Sequence, residues 1–528
     1  MPMKNKFIYL VSIFFIFLFW ALVTPVFEGP DEQAHLATVN FLVNENRLPK
    51  GQEYDLSAEE KLLQDELGTF RDRFGNNKIT YHPEYRINYT SSYIGEYENE
   101  IINSNTKENK TTYVWKEAAR YPVLYYLYSS VPYRLAYASD IFIRLFVVRI
   151  ASVFLGSLLV FYTYKAAHLV FQNQTLALSS ALMVALHPMI SFTNSTINSD
   201  NLHNLLYTVF LYYCLSFVKN GWGKINILAF ALIIIADFYT KPQAYVMAPI
   251  LFLAFALRWM TVKTFKTEWS KAILLGLLIL LGILPKEGKT LLALVWKGAI
   301  PYSYSPKIAG DPPNFWEFVK FSANKLYAQN LVWYWGLFKW LGVVLPRIWW
   351  WTANRLVILS GIGLFWGIYQ KLRSTKQLIN IIPTLFLMGA SGIYMFAIFW
   401  FDWQYAKGVG YSIGVQARYY YPVIAAHLIL MLYGLTSFGW SKKVSNLIRQ
   451  GLLLFFVGLQ LAGIYTLITS YYDLWPLSTL ITQASQYKPI FAKGAWWYLW
   501  ITLYMTSLTL VTYHGLKNAK VIKAKKAR

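Results

Sequence analysis

The 528-residue chain has a single cysteine, Cys214, and only 14% charged residues. One cysteine permits no intrachain disulfide and no cysteine-ligated metal site. Acidic residues are scarce: 26 Asp and Glu stand against 49 Lys and Arg, a formal charge of +23. The sequence has no GxxxxGK[ST] phosphate loop, no GxGxxG following a strand and no HExxH pair. It therefore gives no support to a phosphate-loop NTPase, a dinucleotide enzyme or a zinc protease. Disorder and fibrous repeats are excluded by composition, and no heptad or solenoid period is visible.

What the chain has in excess is apolar surface. Hydrophobic residues make up 56%, aromatics 18%, and the mean hydropathy is +0.34. The apolar residues come in runs long enough to cross a bilayer, which takes ~20 residues. This pattern predicts an all-α integral membrane protein. The first run, 7–27, is too long for a signal-peptide core and ends in Pro25 and Pro30, so it reads as a retained span. Others fall near 142–164, 176–197, 201–218, 225–240, 243–259, 271–285, 353–370, 379–400, 418–438, 450–470 and 496–515, about twelve in all.

Charge supplies a topology. With the N-terminus cytoplasmic, Lys4, Lys6, Lys165, Lys219, Lys224, Lys263, Lys371, Lys442 and the basic tail 516–528 fall on one side. Such a bias marks the cytoplasmic face, and an even number of spans returns the C-terminus there. The stretch 121–138 is apolar but holds Pro122, Pro132 and Arg134, and it reads as an interfacial element. The chain then divides into a first span (1–27), a first outer loop (28–141) with a polar insertion near 50–118, and spans two to seven (142–285). A second outer loop (286–352) carries the Trp-rich stretches WYWGLFKW and RIWWW, expected as interfacial helices. Spans eight to twelve (353–515) and the tail complete it, with 471–495 as a third outer loop.

Few acids lie near the expected outer ends, so those that do are informative. EGPDEQAH, from Glu28 to His35, opens a helix after the first span. Asp31 and His35 are four apart on one face and can form a carboxylate–imidazole couple, a general base or part of a metal site; helix capping with a surface ion pair is the competing reading. Asp200 starts the fourth span, where an N-cap role competes. Asp237 and Lys241 are four apart, which suits either a mutual ion pair or a lysine that meets a phosphate. Arg418, followed by Tyr419 and Pro422, suits a phosphate or simple snorkelling at a helix end. Arg120 and Tyr121 begin the interfacial element. Arg144 and Arg149 are further basic candidates, with packing of their stems as the stronger reading.

In order, PDExxH after the first span, YPxLYYL, P…NSD, TKP and QxRYYYP resemble a known group. It is the bacterial polytopic family of unknown function related to dolichyl-phosphate-mannose protein mannosyltransferases and lipid A aminoarabinose transferases, within the GT-C superfamily. The resemblance covers almost the whole chain; the long insertion at 50–118 departs from it. It implies a GT-C-like helical bundle with large outer loops in a bacterial inner membrane. It also implies an inverting glycosyltransferase at the outer face, with or without a divalent metal. The donor would be a polyprenyl-phosphate sugar, the acceptor a glycan, lipid or protein, with membrane lipids around it and no nucleic acid partner. Asp31 then matches the catalytic acid, and Glu32, its neighbour, is grouped with it as catalytic. Lys241 and Arg418 match the phosphate ligands, and His35, Arg120, Tyr121, Asp200 and Tyr419 fall in the substrate site. A flippase of a lipid-linked sugar and a non-catalytic assembly partner are the rival functions; the first predicts charges deep within spans.

Overall fold

The computed structural model describes residues 3–47, 49, 55–70, 84, 86–90, 94–104, 110–113, 121–260, 266–297, 314–373 and 378–517. Nearly half of the 50–118 insertion, Arg120 and nearly all of the tail lie outside these residues. The helices are α1 (Met3–Val23), α2 (Glu32–Glu45), α3 (Ala58–Glu66), α4 (Ile94–Ser104), α5 (Leu124–Leu135), α6 (Ile141–Phe171), α7 (Gln174–Ala185) and α8 (Pro188–Asn194). They continue with α9 (Asp200–Asn220), α10 (Ile227–Phe238), α11 (Met247–Trp259), α12 (Lys266–Lys297) and α13 (Phe315–Lys325). The last six are α14 (Arg347–Leu372), α15 (Leu378–Val409), α16 (Ile424–Thr436), α17 (Lys442–Tyr471), α18 (Leu477–Ala484) and α19 (Trp496–Leu516). Two small antiparallel ribbons accompany them: β1 (Asp55–Ser57) with β2 (Lys110–Tyr113), and β3 (Leu337–Phe338) with β4 (Val343–Val344).

Each apolar run expected as a span lies on a helix or a broken helix. Among the described residues, five helices are long and apolar enough to cross a membrane, or six if the α7–α8 pair, bent by 63°, is one span. Shorter apolar helices cover Ile8–Val23 and Ile227–Phe238. The breaks have local causes. Pro188 opens α8 after His187 in extended conformation, since the residue before proline avoids the helical region. A 3-10 turn, Ala417–Val423, containing Pro422, precedes α16 for a related reason.

Two loop expectations need correction. RIWWW is no separate interfacial helix: it forms the first turns of α14. WYWGLFKW is not helical throughout; it leaves a helical turn at Trp333 and becomes the β3–β4 hairpin. The hairpin carries Lys339, Trp340 and Leu341 at φ of 52°, 47° and 66°. Three consecutive left-handed non-glycine residues cost about 1–2 kcal/mol each, so the turn is held by its surroundings. Arg86 Nη1 donates to Lys339 O at 3.2 Å, and Lys339 Nζ donates to Ser470 O at 2.6 Å.

The buried apolar side chains form two large clusters. One joins α1, α6–α8, α17 and α19; the other joins α9–α12, α15 and α16. The α14–α16 crossing is close: a Cβ on Gly363 would meet Gly434 O at 2.2 Å, and Ser360 Oγ donates to Met431 O at 2.9 Å. Small residues permit such contact where apolar burial alone gives little drive between helices in lipid.

Candidate functional site

The turn between α1 and α2 is the foundation of the site. Helix α1 ends with carbonyls that no longer have helical partners. Arg149 of α6 takes them up, donating to Ala21 O, Thr24 O and Pro25 O at 2.8–2.9 Å. The same guanidinium clamps Glu32 through Nε at 2.8 Å and Nη2 at 2.6 Å. Glu32 also accepts from Phe27 N at 3.1 Å and Ile197 N at 3.0 Å, and both ions are fully buried. Lys488 adds another donor to Thr24 O; burial pulls its ammonium well below the ordinary lysine range.

Glu32 is therefore committed to Arg149 and the backbone, which argues against the direct catalytic part grouped with Asp31 above. Arg149 and Arg144 do more than pack their stems. Arg144 forms a two-pronged pair with Glu59 of α3 at 2.5 and 2.6 Å.

Beside the clamped Glu32, Asp31 is left-handed, φ 59° and ψ 17°, and its side chain makes no capping bond. Its carboxylate is hydrogen-bonded instead by Arg418 Nη2 at 2.9 Å. Arg418 Nη1 lies 4.0 Å from Asp200, and Asp200 accepts from Lys241 Nζ. Asp31, Arg418, Asp200 and Lys241 thus alternate in sign at one end of the bundle. Asp200 stands in the first turn of α9 without capping it.

The expected Asp237–Lys241 pair is replaced. Helix α10 stops at Phe238, and Lys241 is extended before Pro242, so the two residues do not share a helix face. Asp237 pairs with His203 Nδ1 at 2.7 Å, leaving His203 Nε2 and Asp237 Oδ2 buried without a hydrogen-bond partner among the described residues.

His35 is likewise separate from Asp31: Nδ1 bonds to Tyr126 Oη at 2.8 Å, and the ring stacks on Tyr121. Burial lowers its pKa from 6.5 to about 3; the nearby charges act in both directions and are secondary. It is therefore uncharged at neutral pH. Lys241 Nζ lies 5.0 Å from the Tyr121 ring centroid, and Arg418 lies 5.5 Å from that of Tyr419, so both cations rest on aromatic faces.

A residue missed in the sequence ties the loops together. Asn198 Nδ2 donates to Pro30 O at 2.9 Å, its Oδ1 accepts from Asp200 N at 2.8 Å, and its own N–H donates to Tyr125 Oη at 3.0 Å. Leu124 N donates to Tyr239 O at 2.8 Å, joining YPVLYYL to TKP. Gly29 permits this closeness, since a Cβ there would overlap Thr196 at 2.5 Å. The stretch GYSIG at 410–414 has GxSxG spacing, but no strand leads into it and Ser412 Oγ donates to Asp402 at 2.8 Å. It is not a strand-to-helix nucleophile turn.

Beside the ion row is a cleft of about 50 Å³, partly open at its mouth. Glu28, Asp31, Gln416 and Arg418 supply its polar lining, and Trp333 and Trp340 are among its apolar lining. Glu28 accepts from Tyr471 Oη at 2.6 Å, with Arg86 at 3.8 Å. Burial raises its pKa, opposed by Arg86 and Tyr471. No group of three or more His, Cys, Asp or Glu that could hold a metal occurs among the described residues.

A family model described as "Predicted membrane protein (DUF2142)" matches residues 14–427. No curated protein matches the sequence. Among solved structures, ArnT from Cupriavidus metallidurans bound to undecaprenyl phosphate has 13% identity and a TM-score of 0.41. That match covers 98% of this chain and 78% of that one. The Archaeoglobus fulgidus oligosaccharyltransferase AglB in complex with an inhibitory peptide and a dolichol-phosphate has 13% identity and a TM-score of 0.32. There the match covers 93% of this chain and 60% of that one. The superpositions are loose at these values.

Proposed function

The chain belongs to the family described as Predicted membrane protein (DUF2142), and from the chemistry of its ion row we propose that it is a glycosyltransferase. It moves a sugar from a polyprenyl-phosphate donor to an acceptor hydroxyl at the outer face of a bacterial inner membrane. The observation that carries this is Asp31. It is the residue before a helix yet does not cap it, is held left-handed, and meets Arg418 at the edge of a cleft.

Asp31 takes the proton of the acceptor hydroxyl as that oxygen attacks the anomeric carbon. The bond from that carbon to the phosphate oxygen breaks on the opposite face, which inverts the centre. The electron pair leaves with the polyprenyl phosphate, and Lys241 and Arg418 stabilise its charge. Asp200 positions both cations. Tyr121, Tyr419 and His35 shape the aromatic wall around them, and Arg120, one residue before Tyr121, stays a candidate phosphate ligand. Glu32 holds Asp31 in place rather than touching substrate. In this reading the apolar runs make about twelve spans, both termini are cytoplasmic, and the donor tail lies among the aromatic-rich helices. A glycan, lipid or protein serves as acceptor.

The test is release of free polyprenyl phosphate from a panel of polyprenyl-phosphate sugars by purified protein in native lipid extract. Wild type is expected to release it and Asp31→Asn is not. No release from wild type with an acceptor-rich extract would favour a flippase or assembly partner. Equal release from both proteins would retain the enzyme and discard Asp31 as base.

A further inference from the structure

The ion row accounts for a base and for phosphate ligands, but not for how a sugar is chosen. The cleft beside it contains polar groups that the transfer step leaves unused. Glu28 is 3% exposed and is oriented by Tyr471 and Arg86, while Gln416 lines the same space. Facing into that space are side chains from a single segment, Trp333, Trp340 and Leu341. This combination matches the chemistry of a sugar ring. A pyranose presents an apolar C–H face that gains by lying against an aromatic plane, and equatorial hydroxyls that need partners at its rim.

The turn that carries Trp340 is unusual in a way that bears on this role. Lys339, Trp340 and Leu341 are all left-handed, and none is glycine. Non-glycine residues persist in such conformations when the surroundings over-determine them, and such positions cluster at ligand sites. The surroundings are visible. Arg86 holds the carbonyl of Lys339, Ser470 O receives the Lys339 ammonium, and β3 is anchored where Leu337 N approaches Met189 Sδ at 3.0 Å. Arg86 also lies 3.8 Å from Glu28, so one guanidinium sets both the hairpin and the carboxylate. The turn that carries Trp340 is tied to Glu28 through these contacts.

We propose that the β3–β4 hairpin is the specificity wall of the cleft: Trp340 stacks on the face of a sugar ring whose hydroxyls are bonded by Glu28 and Gln416. This rests on the glycosyltransferase reading and adds to it the element that selects the sugar. Trp340 is a specificity-determining residue, and the strained turn fixes its plane.

The experiment uses the full chain in lipid nanodiscs. Saturation-transfer difference NMR is recorded with a panel of methyl glycosides of hexoses, pentoses and N-acetylhexosamines. Wild type is expected to transfer saturation to the ring C–H protons of at least one glycoside. Trp340→Phe should keep that binding. Trp340→Gly removes the ring yet favours the left-handed turn, so the hairpin remains formed; its binding should weaken about tenfold. Sugar preference across a polyprenyl-phosphate-sugar panel should flatten in the same variant. Binding by wild type to no glycoside, or undiminished binding by Trp340→Gly, overturns the proposal. Glycoside binding that depends on Trp340, in a protein that releases no polyprenyl phosphate, upholds the wall and removes only the transferase reading. Release by wild type, with a donor preference unchanged in Trp340→Gly, does the reverse.

Discussion

Asp31 and Glu32 are neighbours of the same chemistry, and exchanging either for its amide should produce opposite failures. Glu32 accepts four hydrogen bonds, two of them from Arg149, in a site with no solvent exposure. In Glu32→Gln one oxygen becomes an NH2, and either orientation sets a donor against donors. Arg149 keeps its backbone carbonyls, but its charge is left uncompensated inside the protein. Breaking one partner of such a pair costs about 3–5 kcal/mol, or roughly two to four decades in an unfolding constant. Asp31→Asn differs on both counts. Its side chain is 23% exposed and its ion contact is to Arg418, so the amide costs about 1 kcal/mol. Asn tolerates the left-handed backbone as Asp does, whereas Ala would add strain. As loss of the proposed general base, Asp31→Asn should lower transfer about 10²–10⁴-fold. The assay is a paired measurement on each preparation: thermal unfolding in lipid or detergent, and the initial rate of polyprenyl phosphate release. An Asp31→Asn protein that unfolds early, or a Glu32→Gln protein with wild-type stability and no transfer, would refute this division of labour.

Other outcomes follow from the same contacts. Lys241→Met removes a cation from Asp200 and, in the proposed mechanism, from the leaving phosphate, and should raise KM for the donor by about 10–100-fold, measured by initial rates against donor concentration. Arg418→Lys keeps the charge but loses the fork that spans Asp31 and Asp200, and should lower kcat while the thermal midpoint stays close to wild type. Asn198→Ala breaks the bonds between the PDE and NSD loops and should cost about 2 kcal/mol, read as a lower midpoint together with a lower kcat. With His35 held at about 3 in the folded protein, the unfolded chain gains a proton first as pH falls below 6.5. His35 therefore makes stability drop from pH 6.5 towards 3, and His35→Gln should flatten that slope in pH-dependent unfolding. Glu60, raised by burial to about 7, has the opposite sign: the folded protein keeps its proton above 4.5, so its contribution fades as pH rises through 7.

The sequence revealed the helices because hydropathy is a local property, summed over each run. It also brought forward Asp31, Asp200, Lys241 and Arg418, since charge near a span end is rare enough to be noticed. It did not reveal their pairing. Asp237 and Lys241 had helical spacing, but Pro242 pushes Lys241 into extended backbone, and the shared face disappears. Arg149 and Glu32 are separated by 117 positions, so nothing local marks either as the partner of the other. Asn198 carried no charge to draw attention, although its side chain and backbone bind three separate groups. Asp31 is left-handed beside a tertiary clamp on Glu32, and no propensity scale contains such a clamp. WYWGLFKW looked like an interfacial helix because tryptophans favour the membrane surface; its hairpin is decided by contacts from Arg86 and Ser470.

The separations along the ion row also set an order of manufacture. A ribosome delivers residues 31 and 32 early, Arg149 about a hundred residues later, then Asp200 and Lys241, and Arg418 last among them. A nascent chain can close the Glu32–Arg149 clamp with its early helices and join Lys241 to Asp200 soon after. Asp31 must wait, because its partner lies 387 positions downstream. Asp31 is thus among the first parts of the row to be synthesised and the last to meet its partner. An immature chain carries the acid without the guanidinium that orders it, so the row can be whole only once synthesis has passed Arg418.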